Sequence, residues 1–407
     1  MDLDHYLGPD ARLHWIQDSG EHPRPTAARA LAILDARPAF CDLPRGDLFV
    51  VDGRLTLDPP RGPINVIGRG VVVAPPLVDS HAHLAVRDRV ASDGPNTPWQ
   101  WSALASTAQR ATQVLTSLRS NARHGVLAVR DAGGPSSLVS EISMSGFISG
   151  LPWLQASGRV IAGPGRHVEG VAHEVLGSGV AAAARIEASA GGGWTKLVGD
   201  ASHRDRPIED PVCDWTVEVV RSAVSIAHAA GARVIFHALT DCASRLGLLS
   251  EVDSIEHGWG MAEGDIDILA AKGIAWTPTV RPLIDSYDAA SLSGEAMPRF
   301  IAEGRERVPA LIARAAKTNL RLLCGTDLGI PHGQVVREML TLIEFGLPPE
   351  RAIRAASTDA WEFLRLPQIS IGARPDLLIL SADPLEYPET YLNPAAILRA
   401  GELVEGT

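Results

Sequence analysis

Eight short apolar or β-branched runs, each followed by an Ala-rich or amphipathic stretch, predict an α/β protein built as a (β/α)8 TIM-like barrel. Two features of the connections support this class. Several helical stretches end in Gly or Asn just before the next run, the usual helix stop. Strands that alternate with helices also imply parallel βαβ units. An open, doubly wound sheet is the competing arrangement, and eight units favour closure.

The runs, in order, are VVVAPPLVDSHAH (71–83), VLAVRDAG (126–133), PWLQASGRVI (152–161), WTKLVG (194–199), RVIFHA (233–238), SIEHG (254–258), IAWTPTV (274–280) and LRLLCGTD (320–327). Helical stretches are expected over 102–125, 217–231, 265–273 and 298–319. The barrel is therefore placed at 73–365. The flanks read differently: 46–57, 376–387 and 395–406 look like short strands with turns. Neither flank can bury its own face, so residues 1–72 and 366–407 are expected to supply an N-terminal extension and one small β-sandwich. Within the extension, PTAARALAILDAR (25–37) reads as a helix, and the first 45 residues carry no further assignment.

The bulk properties exclude several function classes. Of 407 residues, 45% are hydrophobic and 21% charged, as in an ordinary soluble domain with a sizeable core. A net charge of −11 without any Lys/Arg-rich run argues against nucleic acid as a partner. The acidic start MDLDHYLGPDARLHW lacks the basic head and apolar centre of a signal peptide, and no run has the apolar length of a membrane span. The four Cys (41, 213, 242, 324) have no C-x-x-C spacing and read as free thiols of a reducing, cytoplasmic setting. A small-molecule substrate fits this profile, and a homo-oligomer is compatible with it.

Chemistry concentrates at the ends of the runs. Asp79, His81 and His83 occupy alternate positions, so in an extended chain they share one face. Lys196 lies on the fourth run, and His237, His257 and Asp327 end the fifth, sixth and eighth. All strand C-termini of such a barrel meet at the face where active sites form. Six ligand-type residues from five strands would therefore meet in one mouth, whereas a purely structural reading needs a separate coincidence for each. Neutral imidazoles and a carboxylate suit Zn²⁺ or a similar first-row metal.

These fragments, LVDSHAH, VRDAGG, WTKLVG, VIFHAL, DSIEHGW and LLCGTDLG in this order, with ARPDLLILSADPLE at the end, resemble the amidohydrolase superfamily over roughly 46–407. The phrases VDSIEHG, TPT and GTD are similar to its imidazolonepropionase-like and Xaa-Pro-dipeptidase-like branch. The resemblance implies two divalent metal ions, zinc by preference: His81, His83 and Asp327 on one, His237 and His257 on the other, and a carbamate on Lys196 bridging them. It implies hydrolysis of an amide (a dipeptide, N-acyl amino acid or cyclic amide) by a metal-bridging hydroxide, with Asp327 as general base and then acid.

Lesser candidates surround this set. His167 (GPGRHVEG) and Asp131 sit just past strand ends and are expected near the pocket; the bland reading of His167 is a loop histidine bonded to backbone. Asp79 is a candidate for supporting the ligands, and Arg130 for a buried structural ion pair. Arg281 and Tyr287, on an expected loop after the seventh strand, are candidates for a substrate carboxylate, with a solvated loop as the alternative; His332 (GIPHG) is read in the same way. A mononuclear deaminase or lactonase of the same superfamily is the runner-up. Such enzymes lack the strand-four lysine and often carry a Glu after the fifth-strand His, where HALTDCAS has none. A non-catalytic scaffold should have lost ligands, and the sequence retains all six.

Overall fold

The computed structural model describes residues 30–87, 97–146, 148–205, 211–292 and 299–404; the expectations for residues 1–29 lie outside these. The chain opens with β1 (Ala30–Pro38), β2 (Gly46–Val51), β3 (Arg54–Thr56), β4 (Ile64–Arg69) and β5 (Val72–Ala74). The stretch expected to be helical is thus a strand from Ala30 onward. Its apolar run Ala30–Ile33 is buried between two neighbours, antiparallel β2 and parallel β4, while its end pairs with β5. Pairing on both sides outweighs the weak helical preference of alanine, which stabilises a helix by only tenths of a kcal/mol per residue. The ladder to β2 shifts register between Ile33 and Ala36, where Asp35 takes a left-handed φ of 51° that a short polar side chain tolerates.

Pro75 and Pro76 separate β5 from β6 (Leu77–Ala82), dividing the first expected run between two sheets. Next come α1 (Pro98–Leu104), α2 (Thr107–Arg123), β7 (Val126–Asp131), α3 (Leu138–Met144), β8 (Trp153–Ala156), β9 (Ile161–Ala162) and β10 (His173–Glu174). The third expected run is therefore two strands: β8 pairs with β7, while Ile161 pairs with Leu197 further round. The chain continues with α4 (Val180–Ser189), β11 (Trp194–Val198), β12 (Asp200–Ala201), β13 (Val212–Cys213), α5 (Val217–Ala229), β14 (Arg233–Ala238), α6 (Asp241–Ser250), β15 (Ser254–His257), α7 (Glu263–Lys272) and β16 (Ala275–Thr277). Capping boxes start α1 at Thr97 and α2 at Ser106, and Gly273, in the left-handed conformation, stops α7 before β16.

After β16 the chain is helical where a loop was expected. α8 (Val280–Leu292) carries Arg281 and Tyr287, and α9 (Arg299–Ala315), α10 (Val336–Glu344), α11 (Pro349–Ala355) and α12 (Thr358–Phe363) follow. Residues 320–327 form no continuous strand. They hold their place by single parallel bridges, Leu322 to Trp276 of β16 and Asp327 to Ala82 of β6, with Ser80 N–H donating to the Cys324 carbonyl at 2.8 Å. Parallel ladders run β6–β7–β8 and β11–β14–β15–β16, and a bridge from Ala156 to Gly193 joins the two sets. With helices between successive strands, this is an α/β fold of the TIM-barrel type. β17 (Leu377–Leu380), β18 (Ala396–Arg399) and β19 (Glu402–Leu403) return to β5, so both flanks share one eight-stranded sheet.

The core explains the arrangement. Phe236, Trp276, Leu77, Leu127 and Ile255 are fully buried in one cluster along the parallel strands, each contributing about 1.5–3 kcal/mol. A second cluster, including Ile33, Leu48, Leu55, Val73 and Ile379, belongs to the flank sheet alone. A cavity of 410 Å³ lined by Phe40, Pro75, Arg354 and Trp361 lies at the N-terminal end of β6, opposite the end that bears the histidines.

Gly325 sets how closely residues 320–327 approach β6. A Cβ there would meet His81 Cβ at 2.5 Å and His81 N at 3.0 Å, both on a fully packed strand that cannot yield. Gly325→Ala should therefore cost about 1–3 kcal/mol in urea unfolding by overpacking. Unchanged stability would mean that the eighth segment is free to move away from β6.

Candidate metal centre

His81 lies on β6 and His83 one residue beyond it, both buried. Each ring has one nitrogen committed. His81 Nδ1 is 2.7 Å from Glu256 Oε2, and His83 Nδ1 is 2.6 Å from the Gly133 carbonyl. Both partners only accept, so Nδ1 carries the proton and Nε2 presents its lone pair. The two Nε2 atoms lie 4.0 and 3.4 Å from Asp327 Oδ1. One donor atom from each of His81, His83 and Asp327 falls within 4.8 Å of the others, the spacing a shared cation needs.

His257, ending β15, follows the same logic. Its Nδ1 is 2.6 Å from Thr279 Oγ1, whose own hydrogen is donated to the Pro278 carbonyl at 2.9 Å. The hydroxyl can then only accept, and His257 Nε2 is left available. The His257 ring centroid lies 4.5 Å from that of His237 and 5.3 Å from that of His81. His237 Nε2 is 3.8 Å from Asp200 Oδ1. Asp200 itself is buried and accepts from Leu239 N, Thr240 N and Thr240 Oγ1. His257, Thr279 and Asp327 all have left-handed backbones, with φ of 65°, 45° and 47°. Such non-glycine conformations cost about 1–3 kcal/mol each and persist where surrounding contacts impose them.

Lys196, on β11, is buried, and its Nζ has no hydrogen-bond partner among the described residues. Burial pushes its ammonium down to about 8. Burial likewise lowers His81 to about 4, His257 to about 3 and His237 well below its usual range, so these rings are neutral at pH 7. Asp327 goes the other way. Burial would raise its pKa, but the surrounding imidazoles of His83, His81 and His257 hold it well below the carboxylate range. Neutral imidazoles, an ionised carboxylate and an unsatisfied buried amine together make a donor set that fits divalent cations.

A buried ion pair orients this set. Glu256, the residue before His257, accepts from Arg130 Nη2 at 2.9 and 3.1 Å, from Ser254 Oγ at 2.5 Å and from His81. Arg130 also donates to the Ser80 carbonyl, Ser254 Oγ and Thr277 Oγ1, which ties β6, β7, β15 and β16 together. The sequence reading placed Arg130 in such a pair but missed its partner. In a regular strand Glu256 and His257 point to opposite faces; the left-handed φ at His257 breaks that alternation. Asp79 accepts from His81 N, Thr326 N and Thr326 Oγ1, fastening β6 to the eighth segment. Asp131 holds the turn after His83 by accepting from Leu84 N and Gly133 N.

The remaining expected residues divide. His167 is close to the cluster: Trp99 of α1 stands between it and His83, with ring centroids 4.8 and 4.7 Å away. Burial lowers His167 to about 3, and its Nδ1 accepts from Val168 N, leaving the Nε2–H as donor. Trp99 escaped the sequence reading because α1 was expected to begin later, at 102; the capping pair Thr97 and Gln100 was the available signal. Arg281 is paired with a carboxylate. It lies on α8 with its Nε 2.8 Å from Asp285 Oδ1, while its backbone N–H and that of Val280 donate to buried Glu338. Tyr287 lies on the same helix. His332 is buried with Nε2 3.3 Å from the Val86 carbonyl.

The family model described as "Amidohydrolase family" matches residues 72–404. An uncharacterized protein of Mycobacterium tuberculosis is 30% identical over 360 residues, covering 87% of this chain and 90% of its own. Among solved structures, a Xaa-Pro dipeptidase with methionine bound in its active site superposes with a TM-score of 0.77 at 19% identity, covering 93% of this chain and 100% of that one. The ochratoxinase of A. niger superposes with a TM-score of 0.75 at 18% identity, covering 93% and 96%. The solved structures establish likeness of fold.

The Arg130–Glu256 pair yields a stability test. Glu256→Leu leaves the Arg130 guanidinium buried without a counter-charge and should cost about 3–5 kcal/mol in urea unfolding. The double variant Arg130→Met with Glu256→Leu should recover most of that loss, because it removes both charges together. Equal stability of the single variant and the wild type would show that the pair does not anchor the interior.

Proposed function

The chain belongs to the amidohydrolase family, and on that premise we propose that it is a hydrolase using two divalent metal ions, zinc by preference, to cleave the C–N bond of a small amide. His81, His83 and Asp327 would hold one ion, His237 and His257 the other, and Lys196, as its carbamate, both. The observation that carries this reading is Lys196: a buried amine without a hydrogen-bond partner, set among imidazoles with committed Nδ1 atoms. A neutral lysine amine is the form that reacts with CO₂, and burial favours that form. The carbamate is an anion and removes the repulsion an ammonium would exert on the cations. When bound, the metals supply Lewis acidity, which lowers the pKa of water and polarises a carbonyl.

The protein's own residues do the rest. Glu256 and the Gly133 carbonyl fix the tautomers of His81 and His83, and Thr279 fixes that of His257. Asp327 accepts the proton that the attacking water loses and returns it to the departing amine nitrogen, so amide and water become carboxylic acid and amine. His167, with Nε2–H free to donate, is placed beside the substrate together with Trp99. Arg281 and Tyr287 of α8, and His332, are further proposed substrate contacts, with the Arg281 guanidinium oriented by Asp285.

Dipeptides, N-acyl amino acids and cyclic amides are the proposed substrate class. The similarity in fold to a Xaa-Pro dipeptidase holding methionine supports an amino-acid-like substrate. The reading includes a closed barrel over 73–365, supported by the bridges on both sides of residues 320–327. It also includes a small β-sandwich from 1–72 and 366–407, supported by the separate apolar cluster of the flank sheet. A cytoplasmic setting is supported by the free cysteines, and no described helix is long and apolar enough to cross a membrane. A mononuclear deaminase or lactonase is the second reading, favoured by His81, His83 and Asp327 forming, among the described residues, the one group of three donors within a single cation's reach.

Metal analysis separates the two. Purified protein should hold two metal ions per chain, and Lys196→Ala should lose metal and activity, with partial rescue by acetate or propionate. One ion per chain in the purified wild type, with Lys196→Ala still active, would establish the mononuclear reading. Asp327→Asn should lower turnover of a hydrolysed amide by about 10²–10⁴, a larger loss than its metal content shows. Near-normal turnover in that variant would remove the proton role from Asp327.

A further inference from the structure

Two of the four cysteines, 29 positions apart in sequence, meet beside Asp200, the carboxylate next to His237. Cys213 lies on β13, where its Cα partner across the short antiparallel ladder is Asp200. The Asp200 carboxylate in turn binds Thr240 through both N–H and hydroxyl, at 2.7 and 2.5 Å. Thr240 is the N-cap of α6, and Cys242 is the second residue of that helix. This geometry brings the Cys213 thiol against the Cys242 thiol and the Thr240 hydroxyl. Cys213 is half-buried against the core and Cys242 is exposed. Neither belongs to a group of three metal-donor residues among those described.

We propose that Cys213 and Cys242 are a dithiol modification site that a peroxide closes to an intramolecular disulfide, tying the segment after β11 to the start of α6. The chemistry balances without further reactants. The exposed Cys242 sulfur donates an electron pair to one peroxide oxygen, the O–O bond breaks, and a sulfenic acid and one water result. The Cys213 sulfur then attacks the Cys242 sulfur and displaces its hydroxyl, which leaves as a second water with the Cys213 proton. Two thiols lose two electrons and the peroxide becomes two waters; a dithiol reductant reverses the change.

The position gives the disulfide a consequence. Both cysteines flank Asp200, Cys213 through the backbone ladder and Cys242 through Thr240, and Asp200 is the carboxylate 3.8 Å from His237 Nε2. Closing the disulfide constrains both supports of that carboxylate, and so the orientation of the imidazole. This second step rests on the proposed role of His237 as a metal ligand; the disulfide does not.

The experiment treats the metal-loaded full chain with hydrogen peroxide, blocks remaining thiols, and maps peptides by mass spectrometry without reduction. The expected result is a Cys213–Cys242 cross-link lighter by two hydrogens, absent from Cys213→Ser and Cys242→Ser, with Cys41 and Cys324 unlinked. The proposal is overturned if both thiols stay free, if each takes up oxygen separately, or if either pairs with Cys41 or Cys324. Zinc release to a chromogenic chelator tests the second step. Oxidation should change the release rate about tenfold or more in the wild type and not in Cys213→Ser, in the range that removal of a ligand's orienting partner produces. An unchanged rate in a cross-linked protein would overturn the coupling to His237 while leaving the disulfide. If the serine variants fail to fold, thiol blocking of the wild type before and after peroxide still decides whether both cysteines are consumed together.

Discussion

The interior behind the parallel strands is organised around a charge pair that has no access to water. Arg130 on β7 and Glu256 on β15 are fully buried, and between them they engage Ser80, His81, Ser254 and Thr277. Taking two ions out of water costs several kcal/mol each, and attraction offsets that only where the remaining donors and acceptors are also satisfied. Here they are: each guanidinium nitrogen of Arg130 has an acceptor, and its Cζ stands over the Trp194 ring, 4.8 Å from the centroid. Burial alone would raise the Glu256 carboxyl, but the Arg130 charge and the His81 bond prevail and keep it ionised. The pair therefore joins four strands of the wall to the tautomer of the first histidine.

The same principle extends outward. The apolar cluster around Trp276, Phe236 and Leu77 supplies the driving force for folding, while the mouth is filled with groups that fold unfavourably on their own. Neutralised imidazoles, a raised Asp79 near 7, an unpaired Lys196 and left-handed backbones at His257, Thr279 and Asp327 all cost stability. A cation bound there would satisfy several of them together, coupling metal binding to the stability of the mouth. Destabilising groups gathered at one end of a well-packed wall are the expected signature of a site selected for chemistry.

Much of this was legible in the amino-acid order because its periodicities are local. The alternate spacing of Asp79, His81 and His83, the positions of Lys196, His237 and His257 in apolar runs, and the turn at Asp327 all survive into three dimensions. The misreadings share a cause. The stretch 25–37 reads as helical because alanine and leucine favour a helix, yet from Ala30 onward β2 and β4 bury both edges of the segment as a strand. Residues 320–327 look like a strand but make only single bridges, and Arg281 looks like a loop cation but is taken up by its own helix.

What the sequence determined by itself was the alternation of strands and helices, and hence which side chains arrive at the strand ends, since both follow from hydrophobic period and turn chemistry over short spans. What only the tertiary structure decided was which groups face one another. Glu256 and Arg130 are 126 positions apart, Asp79 and Thr326 are 247 apart, and Trp99 reaches His83 and His167 only because α1 folds back over the mouth. The tautomers of His81, His83 and His257 depend on acceptors from other strands and loops. Such partners are chosen by desolvation and closure, which act on distances in space and leave no period in the chain.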